Sequence, residues 1–228
     1  MKTLVYFVAF IYFGLANIAA QDSLLVDRKY FEDQIYAGFT YNILNYKSID
    51  LQQKGISTGF HLGFIKDFPL NKKGTFALGF GFGYSYNKYS QNLKIQNQTP
   101  EFVLISEDYE YDKNLFSTHA IELPIELRVY RSSSPIITKF LRIYLGGKLS
   151  YIFHSKSKYT SQDESIIITP LPYVNNWQYG PYLAIGWGPW NLYTYYGLAS
   201  LFTNAPQTET LDPNQLKSLE IGLQFYIF

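Results

Sequence analysis

The sequence has 228 residues, of which 19% are aromatic and only 16% are charged, with 22 Tyr and 18 Phe. Soluble globular domains usually carry about 25% charged residues, while a mean hydropathy of −0.11 argues against a bundle of membrane-spanning helices. Basic and acidic residues nearly balance, 19 against 18, which argues against nucleic acid as a partner, and the lack of cysteine excludes disulfides and thiolate metal sites.

The chain begins with a segment typical of a secretory signal peptide, Met1–Ala20. Lys2 supplies its positive charge, Leu4–Leu15 is an apolar run, and Ala19-Ala20 offers a cleavage site before Gln21. A retained anchor helix is the alternative, but the run is shorter than the roughly 20 residues that a spanning helix needs. We therefore expect cleavage after residue 20, a polar periplasmic leader at 21–34 and one domain at 35–228.

The rest of the chain alternates large apolar residues with small or polar ones, as strands with two different faces do. The pattern is clearest in Phe76–Asn87, where the even positions are all large and apolar or aromatic and the odd positions include three glycines. A helix would scatter these rings around its axis, and a soluble β-sandwich would place polar residues on the second face. The length suits a transmembrane strand, which needs about 9–11 tilted residues.

Eight such strands are predicted, and the seventh is aromatic on both faces, so its orientation stays open. Their connections are alternately long and short, as in outer-membrane barrels with both termini in the periplasm. We therefore predict an all-β fold, an eight-stranded antiparallel transmembrane β-barrel in a Gram-negative outer membrane. The strands are 35–44, 56–65, 76–87, 116–130, 140–153, 177–187, 190–201 and 216–228.

An eight-stranded barrel is too narrow for an open pore, so side chains must fill its interior. Inward glycines on the second, third and sixth strands leave room for large groups from elsewhere, and Pro124 favours a bulge. We expect Arg142 to pair with Glu122 or Glu126, since isolated buried charges are costly. A network that fixes the register is the favoured interpretation, with a proton or ligand path as the alternative. The predicted inward charges are Glu122, Glu126, Arg128, Arg142, Lys148 and Glu220.

Little in the sequence points to catalysis. Ser117 and His119 share the predicted outward face near the outer rim, where a lipid hydrolase would carry such a pair. Two residues apart on one strand, they are separated by about 7 Å, and no carboxylate partner is evident. His61 is expected to face the interior. With no metal-ligand spacing and no phosphate-binding loop, we expect neither an enzyme nor a bound cofactor or metal.

The C-terminal stretch resembles the signal that barrel-assembly machinery reads. Glu220, Gly222, Phe225 and Ile227 match its polar, glycine, aromatic and hydrophobic positions. The resemblance implies this machinery as a partner, in addition to the outer-membrane lipid that surrounds the barrel.

Four longer segments carry a resemblance to a known family, namely Gly63–Ile95, Tyr111–Val129, Lys139–Tyr159 and Tyr179–Phe202. They resemble the PorT family of Bacteroidetes outer-membrane barrels, called SprT in gliding species, whereas Phe102–Asp108 and Ser161–Pro172 match nothing in the family. The resemblance implies an accessory, non-enzymatic component of the type IX secretion system, which exports cargo with a conserved C-terminal domain and supports gliding in some species. Other components of that system are then expected partners. A general barrel that binds envelope components and a lipid-modifying enzyme remain alternatives.

Overall fold

The computed structural model describes residues 34–45, 51–71, 76–98, 102–106, 109–130, 141–187, 189–208 and 211–227. The expected signal peptide and nearly all of the leader lie outside these residues. In the described part of the chain, no helix is long and apolar enough to cross a membrane. The elements are β1 (Gln34–Asn45), β2 (Thr58–Pro69), β3 (Phe76–Ser90), β4 (Leu93–Ile95), β5 (Phe102–Leu104), β6 (Lys113–Tyr130), β7 (Leu141–Thr160), β8 (Ser165–Ile168), β9 (Trp177–Trp187), β10 (Trp190–Tyr196), a 3₁₀ turn (Pro213–Gln215) and β11 (Lys217–Ile227).

Eight of the described strands close into an antiparallel barrel, in the order β1, β2, β3, β6, β7, β9, β10 and β11. The barrel closes between β11 and β1, where Ile35 lies opposite Ile227 and Asn45 opposite Lys217. Strand β8 pairs with the far end of β7, and β4 and β5 form a separate hairpin. The predicted all-β, eight-stranded antiparallel barrel is therefore confirmed.

The outer surface of the barrel is an apolar band. Phe80 is 45% exposed, Phe82 59% and Leu145 57%, although each belongs to a regular strand. A contiguous apolar surface of this extent suits lipid and not water. The structure also defines the orientation of the seventh predicted strand, β10, which the sequence left open. Trp190 and Leu192 face outward, and the other face of β10 is buried.

Several strands end at different residues from those predicted. At the end with the long loops, β7 continues to Thr160 instead of residue 153, and β3 reaches Ser90. At the opposite end, β2 continues to Pro69, since Asp67 turns inward and pairs with Arg128. Conversely, β10 ends at residue 196, five residues earlier than expected.

The predicted bulge at Pro124 is wrong. Phe80 lies opposite Ile125 and Gly83 opposite Glu122, so the register between β3 and β6 is the same on both sides of the proline. The missing proline N–H interrupts the hydrogen bonding without adding a residue. The irregularity lies instead between His119 and Ala120, where the β6–β7 register shifts by one residue.

The described parts of the four long loops form a compact structure at one end of the barrel, which we call the loop cap. It has its own hydrophobic core, whereas the sequence suggested polar loops. Phe202 from the β10–β11 loop lies at its centre, with ring centroids 5.2 Å from Phe102 and 5.6 Å from Phe116. Leu51 of the first loop packs against it while partly buried. The other three loops and the adjoining strand ends contribute buried residues, including Leu44, Leu93, Ile95, Ile168, Leu171, Leu201 and Leu211.

Candidate functional site

Near the short-turn end, the barrel interior holds an arginine between two carboxylates. Arg128 Nε donates to Glu126 Oε2 at 2.6 Å, and Nη1 donates to Asp67 and to Gln34 Oε1. The guanidinium also lies over the Tyr144 ring, 4.6 Å from its centroid. The Arg128 side chain is fully buried, so this charge is stabilised by paired carboxylates and an aromatic face in place of water.

A second charged group fills the middle of the barrel. Lys148 Nζ lies 2.8 Å from Glu122 Oε1 and 3.2 Å from Glu220 Oε2. His61 Nδ1 lies 3.1 Å from Glu122 Oε1, and its Nε2 lies 3.4 Å from Glu220 Oε2. All four side chains are buried, so two carboxylates face one lysine and one histidine away from bulk water.

Tyrosines fill the remaining space. A Cβ atom added at Gly63 would lie 2.5 Å from the Tyr36 ring, and one at Gly146 would lie 2.5 Å from the Tyr182 ring. Such distances are too short for a side chain, so glycine is needed where these rings cross the interior. The Tyr182 hydroxyl then donates to Glu126 Oε1 at 2.6 Å, as does that of Tyr226 at 2.9 Å.

Among the described residues, two small cavities lie between these groups. One of about 10 Å³ is lined by Tyr36, His61 and Lys148, among others. A second of about 30 Å³ is lined by Ser85, Gln178 and neighbouring residues. Because one water needs about 10–15 Å³, these spaces suit single waters and not a solute or an unfolded chain.

The structure places all six sequence-predicted charges in the interior, but it pairs them differently from expectation. Among the described residues, Glu122 and Glu126 form their ion pairs with Lys148, His61 and Arg128, and Arg142 is not one of these partners. Sequence reasoning also missed Asp67, which lies in the short connection expected between the strands at 56–65 and 76–87.

The predicted Ser–His pair has different surroundings from those of a nucleophile and its base. The hydroxyl of Tyr84 lies 2.7 Å from His119 Nδ1, and the His119 ring also contacts Tyr86 and Phe153. Ser117 is buried between Lys88 on β3 and Lys156 on β7. No hydrogen bond joins Ser117 to His119 within the described residues.

The residues of the proposed assembly signal lie on β11, the strand that closes the barrel. Glu220 faces inward, whereas Ile227 is 56% exposed on the outer face. A Cβ atom at Gly222 would collide with the backbone oxygen of Phe39 on β1, so the strands approach closely there. Phe225 packs edge-on against Trp190, with ring centroids 4.6 Å apart.

The loop cap is the second candidate site. Backbone hydrogen bonds join its loops: Asn92 N donates to Gln52 O at 3.0 Å, and Thr203 N donates to Tyr173 O at 2.8 Å. Beside them lies an open cleft of about 610 Å³, lined by Asn175, Ser200, Thr203, Asn204, Gln207 and Asn214. The cleft is polar and uncharged, and the hydrophobic core beneath it holds its walls in place.

A family model described as an outer membrane protein beta-barrel domain matches residues 19–203. Among solved structures, the chain is similar to that of Ail, the attachment invasion locus protein of Yersinia pestis. The identity is 10%, over 86% of this chain and 97% of that one, with a TM-score of 0.36. A mutant of the Rh. blastica porin is 6% identical over 87% of this chain and 100% of that one, with a TM-score of 0.22. No curated protein matches the sequence.

Proposed function

The chain belongs to the family of outer-membrane proteins with a β-barrel domain and resides in the outer membrane, and from this premise we propose that it is an accessory component of the type IX secretion system. The resemblance of four segments to PorT proteins supports the assignment to this system. In this role the barrel assists the export of cargo that carries the conserved C-terminal domain, while another protein forms the channel.

The main support for the accessory role is that side chains fill the interior of the barrel. Arg128 and Lys148 lie across it with their carboxylate partners, and Tyr36 occupies the space left by the glycines of β2 and β3. Opening a path would separate buried ion pairs, which is costly because each ion would lose its partner in a medium of low dielectric constant. The protein therefore acts through its surfaces.

The loop cap is the surface best suited to bind a partner outside the cell. Four loops share one hydrophobic core, so their outer residues are held in fixed relative positions, as a specific interface requires. Two of its parts, around β5 and β8, belong to the segments without resemblance to the PorT family. Contacts with a partner specific to this protein would thus arise at this end of the barrel.

Clean deletion of the gene tests the proposal, in a strain with the secretion system and no second copy. We expect cargo to be absent from the medium and its precursors to accumulate in the periplasm, while general membrane integrity stays near normal. Proteomics of the medium, cell surface and periplasm measures this. Normal export in the deletion strain would overturn the proposal and favour a general binding barrel.

Complementation separates this role from a lipid-modifying enzyme. Wild type, Ser117→Ala and His119→Ala should each restore export, because we assign neither residue a chemical step. An enzyme would instead show an altered lipid A or phospholipid profile in the deletion strain, and either substitution would fail to correct it.

A further inference from the structure

Three lysines lie close together on the outer face of the barrel, beside the loop cap. Lys88 on β3 lies opposite Ser117 on β6, and Ser117 lies opposite Lys156 on β7. One step further along the strands, Lys158 lies between Leu115 and Ile167. Neighbouring strands are about 5 Å apart, so the three ammonium groups can reach one common ligand. We call Lys88, Lys156 and Lys158 the rim lysines.

The rim lysines lie where the apolar band ends. On β7 the outward apolar residues run from Leu141 to Phe153, which is long enough for the roughly 9–11 residues of a spanning strand. Lys156 comes three residues later, with His119 and His154 at the boundary. Since long loops face outward in such barrels, this level is that of the headgroups of the outer leaflet.

Their charge is not neutralised within the described part of the protein. No ion pair or hydrogen bond of the rim lysine side chains is present there, whereas Lys94 in the loop cap pairs with Glu164. The nearest acidic residue along β6, Asp112, precedes the strand and donates its backbone N–H to Thr160 O at the far end of β7. The charges of the rim lysines therefore lie next to the membrane, and Asp112 lies further out.

We propose that the rim lysines form a binding site for a phosphorylated glycolipid headgroup of the outer leaflet. The lysines would bind the phosphate, and the Ser117 hydroxyl lies between two of them as a further donor. Apolar Leu115 and Ile167 beside Lys158 provide contact for the lipid's uncharged part. Basic clusters at the end of a membrane-spanning surface bind anionic headgroups in the same way. This site does not depend on the proposed role in secretion.

The purified barrel in neutral detergent allows a direct test with lipid A as the probe. Wild type should bind bisphosphorylated lipid A about tenfold or more tightly than fully dephosphorylated lipid A, as measured by native mass spectrometry or calorimetry. The Lys88→Gln/Lys156→Gln/Lys158→Gln variant should lose this preference. A change in gel mobility on boiling shows whether the triple variant folds. If the triple variant does not fold, Lys156→Gln alone should reduce the preference for phosphorylated lipid A several-fold.

Lys217→Gln is the matched control. Lys217 begins β11 at the same end of the barrel, four strands away from β6 in either direction, and it faces outward. This variant should bind like wild type. Three results would each overturn the proposal. Wild type could bind both lipids equally, the Lys217→Gln control could lose the preference as fully as the triple variant, or inorganic phosphate at the same concentration could displace lipid A. A triple variant that keeps the lipid preference but loses export would also overturn it, because the patch would then contact a protein.

Discussion

Replacing Arg128 by methionine should lower the free energy of unfolding by about 3–5 kcal/mol, the range typical of breaking a buried ion pair. Methionine can fill part of the space but leaves Asp67 and Glu126 as buried carboxylates without their guanidinium partner. Glu126 would keep the two tyrosine hydroxyls that donate to it, so local structure should survive while stability falls. Urea titration of the barrel in lipid vesicles, followed by tryptophan fluorescence, measures the change.

Neutralising the carboxylates in the same background should recover much of that loss. Arg128→Met/Asp67→Asn/Glu126→Gln removes the two carboxylate charges that Arg128 compensates, and non-additive effects across the corresponding mutant cycle would show the coupling. Lys66→Met is the control, because Lys66 is an exposed cation on β2, next to Asp67, and its loss should not destabilise the barrel. If Arg128→Met unfolds at the same urea concentration as wild type, the interior network does not hold the barrel together.

Arginine at Phe80 should destabilise the barrel by roughly 2–4 kcal/mol, as expected for a charge at the bilayer midplane. Phe80 lies in the middle of the outward row of β3, opposite Ile125 on β6. Its ring also packs edge-on against Phe68, with centroids 5.7 Å apart, and this contact would be lost. The variant should show a weaker heat-dependent shift in gel mobility and a lower unfolding midpoint.

Phe76→Arg provides a control on the same strand and the same face. Phe76 is 44% exposed and Phe80 is 45% exposed, so the two side chains are almost equally exposed. They differ in their depth in the membrane. Phe76 lies at the end of β3 next to a short turn, where the cost of arginine falls to about 0–1 kcal/mol. Equal costs at the two positions would show that depth in the membrane does not govern the effect.

The barrel itself could be predicted from the sequence because a strand's side chains alternate strictly between two faces. This period of two alone places Phe80 and Phe82 on the outer face. It places Gly79, Gly81 and Gly83 on the inner face. The alternation of long and short connections then indicated an outer-membrane barrel, in which each strand pairs with the next one along the chain. The ends of the strands are harder to predict, as the alternation does not stop at the membrane surface.

The pairing inside the barrel could not be predicted, because it depends on register and strand tilt. Asp67 and Arg128 are 61 residues apart in sequence and on strands that are not adjacent, so no local pattern brings them together. His61 has the same alternation as any inward residue, and only the structure places it between Glu122 and Glu220. The charges themselves were recognisable, whereas their partners were not.

The loop cap was missed for a different reason. Its core residues come from segments of three or four residues, such as β4 and β5, which are too short to show a period. Phe102 and Phe202 are a hundred positions apart, and Phe102 begins a run of only four apolar residues, Phe102–Ile105. The signal that was available is the presence of large apolar residues in loops that otherwise read as polar.

The central claim is that this barrel supports export while it stays closed, and a cross-link across its seam tests the claim most directly. Gly38 on β1 lies opposite Gln224 on β11, and a Cβ atom at Gly38 would lie 3.8 Å from Gln224 Cγ. Paired residues of antiparallel strands lie within the Cα separation that a disulfide accepts. The natural chain has no cysteine, so Gly38→Cys/Gln224→Cys can form only this bond within the chain.

The measurement is the amount of cargo that the deletion strain releases into the medium when it carries this cross-linked variant. Non-reducing gels report the fraction of barrels that are cross-linked, and the wild-type barrel in the same reductant controls for other effects of reduction. We predict secretion at the wild-type level with the cross-link intact. Secretion that is absent in the cross-linked strain and returns when the bond is reduced would contradict the account, because the barrel would then have to open.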